Sequence, residues 1–131
     1  MAEHAGPDVP PAGEPALRTL AMPGDTNPAG DIFGGWLLAQ MDLAGGIAAA
    51  RAAKGRVATV AVDALSFHRP VKVGDEVSVW AELIGIGRTS LRFRVSAWRR
   101  PREAEAHERV TVATFTFVAL DHAGRPRPVR V

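Results

Sequence analysis

An α+β architecture, with an antiparallel sheet wrapped on one long helix, follows from three features of the chain. Residues 32–55, IFGGWLLAQMDLAGGIAAARAAKG, form its longest apolar run. The run holds no proline and much Ala, Leu and Met, which favours helix over strand. Beyond residue 57 the period changes, in four segments rich in Val, Thr and aromatic residues with turn residues between them. A short extended segment precedes both. Helix and strands are thus segregated along the chain, as in a sheet with one face covered by a helix. With 131 residues, the chain has the size of one domain and buries roughly two thirds of its unfolded surface without a covalent staple.

Each element has its own justification. Residues 1–16, MAEHAGPDVPPAGEPA, carry four prolines and almost no large apolar residue. Such a segment cannot offset its ordering entropy, so a disordered leader is expected there, with a single folded domain over 17–131. Leu17–Met22 is a short extended start, and PGDTNPAGD after it is dense in turn formers. In the helix, apolar residues from Ile32 to Ile47 cover most of the circumference, which predicts burial on all sides. Gly55 is expected to stop it. A bilayer span is excluded by Asp31, Gln40, Asp42 and four glycines, since one central Asp costs about 2.5–3.5 kcal/mol on insertion scales. The strand segments are VATVAVDALSFHRPV, EVSVWAELIGIG, TSLRFRVSAWRR and ERVTVATFTFVAL, separated by turns at Gly74-Asp75 and Gly85–Gly87. In the third, Leu91, Phe93, Val95 and Ala97 alternate with Arg92, Arg94 and Ser96, a half-buried strand with a polar outer face.

Composition excludes several chemistries. Cys is absent, which removes disulfides, thiolate metal sites and a cysteine nucleophile. Four scattered His lack ligand spacing. No GxSxG elbow, Walker loop or dinucleotide fingerprint occurs. No helix has a basic face and no strand the aromatic interleaving of an RNA-binding sheet, so nucleic acid is not an expected partner. The formal net charge is +2, yet ten Arg stand against four acids from residue 85 onward. That excess suits capture of a phosphorylated ligand, or serves solubility alone. No basic-then-apolar signal segment opens the chain, and the cytoplasm is the expected compartment.

The residues able to carry chemistry are few. Asp42 lies in the most apolar stretch, where a carboxylate must be paired or hydrogen-bonded; it either acts on a substrate or fixes the helix in place. Asn27 and Asp31 precede the helix, where both residue types also cap and turn. Gly34 and Gly35 at its start disfavour helix by ~1 kcal/mol each. In exchange they bare backbone N–H groups at the positive end of the dipole, donors able to hold an oxyanion. His68 and Arg69 end a strand, a place where His is usually a surface or interface residue. Gly87–Ser90 is a tight turn whose Arg88, Thr89 and Ser90 either hold phosphate or only connect a hairpin.

The block NPAGDIFGGW…QMD, with RPVKVGDEV, GRTS, VSAWRR and TVATFTFVALDHAGRPRPV downstream, closely resembles the YciA-type bacterial acyl-CoA thioesterases of the hotdog-fold superfamily. The likeness covers about residues 17–128. It implies a curved antiparallel sheet around a long central helix, in dimers commonly assembled as a trimer of dimers with active sites at the dimer interface. It further implies an acyl-CoA substrate and no cofactor beyond the CoA of that substrate. By the resemblance, Asp42 matches the catalytic carboxylate, and Asn27 a polar loop residue reaching the partner subunit's site. Gly34 and Gly35 match the N–H groups that polarise the thioester carbonyl, and Arg88, Thr89 and Ser90 a segment near the CoA phosphates. A non-catalytic acyl-CoA sensor, a hotdog dehydratase and a purely structural oligomer are the competing readings. The sensor would carry an appended regulatory domain, the dehydratase a His paired with a carboxylate, and the oligomer leaves Asp42 and the glycine pair unexplained.

Overall fold

The computed structural model describes residues 9–129. Its elements are β1 (Leu17–Leu20), α1 (Gly34–Ala53), β2 (Val57–Phe67), β3 (Glu76–Ile86), β4 (Ser90–Arg100) and β5 (Glu108–Ala119), with one 3-10 turn at Pro23–Asp25. The strands form one antiparallel sheet in the order β1-β3-β4-β5-β2. Leu91, Phe93, Val95 and Ala97 of β4 and Phe115 and Phe117 of β5 are buried toward Leu37, Met41, Ala44 and Ala49 of α1. The alternation expected of β4 places these residues inward and Arg92 and Arg94 outward.

Several expectations need correction. The helix is not buried on all sides: Leu43 and Ile47 are 55% and 49% exposed. The sheet is open, with β1 and β2 at its edges, so five strands of one chain cover only one face of α1. Ser96 does not face solvent. It is buried and accepts a 3.0 Å hydrogen bond from Trp98 Nε1, while Trp98 packs edge-on to Trp80 across the strands. The polar face therefore gives way to a second apolar cluster at that end of the sheet. Part of the leader belongs to it, because Trp80 Nε1 donates to the Gly13 carbonyl and the Ala16 N–H to Val79. Residues 1–8 lie outside the described residues.

The left-handed residue that ends α1 is Lys54 (φ 58°), not Gly55. Gly55 has a different use. A Cβ there would stand 2.8 Å from Arg127 Nη2, and that nitrogen donates at 2.7 Å to the carbonyl of Ala53, while Arg127 Nε donates to Leu120. The guanidinium caps orphan carbonyls at the negative end of the helix and ties the C-terminal segment to it. Arg127→Ala should lower stability by about 1.5–3 kcal/mol, the range for hydrogen bonds from a charged group. Gly55→Ala should reproduce part of that loss by displacing the same group. Melting curves at one protein concentration check both, and wild-type melting in Arg127→Ala would refute the cap.

The entry to α1 is held by backbone ties. The Ile32 N–H donates to Val71 and the Phe33 N–H to Asp25. The turn carrying Val71 is fixed in its own right: buried Asp75 accepts from the Lys72 N–H and from Arg99 Nη1, and Gly74 takes φ +92°, a conformation that suits glycine. Beyond this turn, Glu76 faces Arg100, whose hydrogen bonds hold its carboxyl below the usual range, and burial holds neighbouring His107 below its own.

Candidate active site

The first turn of α1 begins with Gly34 and Gly35 and has no side-chain cap. The Trp36 and Leu37 N–H groups donate to the Phe33 carbonyl. Among the described residues, the N–H groups of Gly34 and Gly35 have no such partner, as expected of helix-end donors. Gly35 has open space where a Cβ would stand. It lines a cavity with Leu38, Asp42, Thr59, Val62 and Phe115. Asp42, two turns along, accepts a 2.6 Å hydrogen bond at Oδ1 from Thr59 Oγ1 of β2. That contact fixes one carboxylate oxygen and leaves Oδ2 for a water or a substrate atom.

Thr59 is the residue that sequence reasoning passed over. Threonine is an ordinary strand residue, and nothing in its neighbours marks it. The signal lies in three dimensions, where a bulge between Thr59 and Ala61 and another between Asp63 and Ser66 bend the edge strand β2 beside α1.

The other candidates are not gathered at Asp42. Asn27 is built into its own loop, its Oδ1 accepting from the Ala29 and Asp31 N–H groups. Among the described residues no hydrogen bond joins it to Asp42. Asp31 pairs with Lys72 at 3.0 Å. The Gly87–Ser90 segment is the β3–β4 hairpin, closed by the Gly87 N–H on the Ser90 carbonyl. The Arg88 carbonyl accepts from the Val129 N–H, the Thr89 carbonyl from the Ala119 N–H, and Ser90 pairs with Val118. Val118 also pairs with Ala58 on its other side, so the hairpin lies level with the start of β2, two strands from Thr59. β2 ends at Phe67, so His68 and Arg69 lie just beyond the strand rather than at its end; the His68 N–H donates to Val110, and Arg69 Nη1 donates to the Arg109 carbonyl. Among the described residues no group of three His, Asp or Glu is placed to hold a metal ion. No helix of the described residues is long and apolar enough to cross a membrane.

A carboxylate with one oxygen pinned, beside open helix-end N–H donors, can activate water and hold a developing oxyanion. Known proteins resemble this chain in sequence and fold. The thioesterase superfamily model matches residues 29–106. The acyl-CoA thioester hydrolase YciA of Salmonella typhimurium is 47% identical over 127 residues, 95% of this chain and 96% of that one. A hexameric hotdog-fold thioesterase of Campylobacter jejuni superposes with a TM-score of 0.80 at 41% identity, covering 90% of this chain and 91% of the other. An acyl-CoA hydrolase of Staphylococcus aureus, solved with butyryl coenzyme A, gives 0.80 at 31% identity, with 86% and 69% covered. Its solved variants replace an Asn, an Asp and a Thr with Ala, spaced 15 and 17 residues apart by their numbers. Asn27, Asp42 and Thr59 have the same spacing.

Proposed function

We infer that this chain, which belongs to the thioesterase superfamily and within it to the YciA-type acyl-CoA thioester hydrolases of the hotdog fold, hydrolyses acyl-CoA to a free acid and CoA with Asp42 as its principal carboxylate. The observation that carries this is the 2.6 Å Thr59–Asp42 hydrogen bond in a cavity that Gly35 shares. The thioester carbonyl sits at the N–H groups of Gly34 and Gly35, and Asp42 Oδ2 takes the proton of the attacking water. The tetrahedral oxyanion is held by those N–H groups until it collapses and expels the CoA thiolate, which leaves as the thiol. Direct attack by Asp42, through an anhydride that water then opens, uses the same geometry. Water, a carboxylate and N–H donors supply the whole reaction, so no cofactor beyond the CoA of the substrate enters the proposal.

The site is completed by a second copy. Val60 and Val62 on edge strand β2 are 57% and 38% exposed, and Leu43 and Ile47 on α1 are exposed as well; an apolar edge of this kind is covered by a partner. Dimers paired here, assembled as a trimer of dimers, bring Asn27 of one subunit toward the Asp42 site of the other. Arg88, Thr89 and Ser90 receive the CoA phosphates. The same reading makes the cytoplasm its compartment.

Release of free thiol from acyl-CoAs, acetyl to palmitoyl, tests the activity. Tight binding without turnover at every length would make the chain a sensor. Because exposed charges are screened beyond about 8 Å at physiological ionic strength, KM should rise with salt while kcat holds. Arg88→Ala should raise KM at low salt and flatten that dependence. A salt-independent KM would remove the arginines from CoA recognition.

A further inference from the structure

A second cavity lies on the other side of the first turn of α1. It is about 210 Å³ and is lined by Phe33, Gly34, Leu37, Phe67, Val71 and Val110, among others. The charged residue of its lining, Arg69, has Nη1 engaged by the Arg109 carbonyl. The helical turn divides the two cavities: Gly34 lines this one, and Gly35 lines the one holding Asp42 and Thr59. A Cβ on Gly34 would stand 3.3 Å from Phe67 Cζ, so the ring at the end of β2 reaches to the glycine. Phe67 is 49% exposed, which puts it at the mouth of the cavity.

We propose that this cavity takes the alkyl chain of the acyl group and that Phe67 sets the chain length accepted. The proposal rests on the hydrolase reading above. A thioester carbon held at the helix-end N–H groups sends sulfur and alkyl chain in different directions. Apart from Arg69, whose Nη1 is held by the Arg109 carbonyl, the lining is apolar and suits an alkyl chain better than the charged CoA arm, and each buried methylene gains roughly fourfold in affinity. At 210 Å³ the cavity is smaller than the ~300–1,000 Å³ of sites for drug-sized ligands. Short chains fit beneath the ring, and longer ones must displace it.

The test uses the full chain as wild type, Phe67→Ala and Phe67→Leu. Hydrolysis is read as kcat/KM from acetyl to dodecanoyl, and binding as Kd for the matching non-hydrolysable thioethers. Opening the mouth should raise the dodecanoyl-to-butyryl ratio by about tenfold or more in Phe67→Ala and by less in Phe67→Leu, two or more methylenes' worth of burial. Equal scaling of all lengths in both variants would overturn the proposal, since a merely structural ring moves every substrate alike. So would wild-type affinity that ignores chain length. Should the wild type bind chains by length without cleaving any, and Phe67→Leu shift that order, the hydrolase reading falls and the pocket stands.

Discussion

Asp42→Ala is expected to lose at least about 10²–10⁴-fold in kcat, the range typical of a positioned general base. KM should change little, because the carboxylate meets water and the reacting carbon rather than the CoA arm. Thr59→Val keeps the shape of the side chain and removes only the hydroxyl that donates to Asp42 at 2.6 Å. It should cost roughly ten- to a hundredfold, the worth of one charge-assisted hydrogen bond. The two variants are coupled: once Asp42 is Ala, removing the Thr59 hydroxyl should cost almost nothing, because the group it orients is gone. Single-turnover rates for both variants and the double variant measure this. A kcat within about threefold of wild type for Asp42→Ala would end the assignment. Additive losses in the double variant would give Thr59 a role independent of Asp42.

How much of this was legible beforehand differs by residue. The helix and four long strands were written locally, in a proline-free Ala/Leu run and in alternations such as Leu91 to Ala97, and each formed close to where its pattern lies. Asp42 stood out because a carboxylate inside an apolar run demands an explanation. Thr59 did not, since its hydroxyl acquires meaning only where the bulged β2 passes α1. Ser96 was misplaced because period-2 reasoning sees one strand at a time, while Trp80 and Trp98, from neighbouring strands, cover it. The exposed face of α1 was missed for a related reason. Hydrophobicity all round a helix reports that it is covered, not which chain covers it. Asn27 fits the same limit: within one chain its carbonyl serves its own loop, and the partner it is proposed to serve lies on another subunit.

The seam between helix and sheet is tightest at Gly45, and this gives the largest stability effect expected. A Cβ there would stand 2.8 Å from Phe117 Cζ and 3.2 Å from Cε2, with Val95 Cγ2 at 3.4 Å. The ring has no room to retreat, being fully buried, edge-on to Phe93 at 6.0 Å and stacked on Phe115 at 6.2 Å. Gly45→Ala should therefore destabilise: overpacking costs about 1–3 kcal/mol, against about 1 kcal/mol gained in helix propensity. Phe117→Ala should cost about 3–5 kcal/mol as a core truncation. The double variant should fall short of the sum by about 0.5–3 kcal/mol, because the methyl then occupies part of the space the ring vacates. Denaturant unfolding at a fixed protein concentration reads all three, since self-association shifts apparent stability. Sums that agree within about 0.5 kcal/mol would mean that the two sites do not touch. The consequence reaches the chemistry, because α1 carries Gly34, Gly35 and Asp42 on one rigid rod. Lifting it at Gly45 moves Asp42 away from Thr59, so Gly45→Ala should lose kcat as well as stability, although Gly45 contacts no substrate.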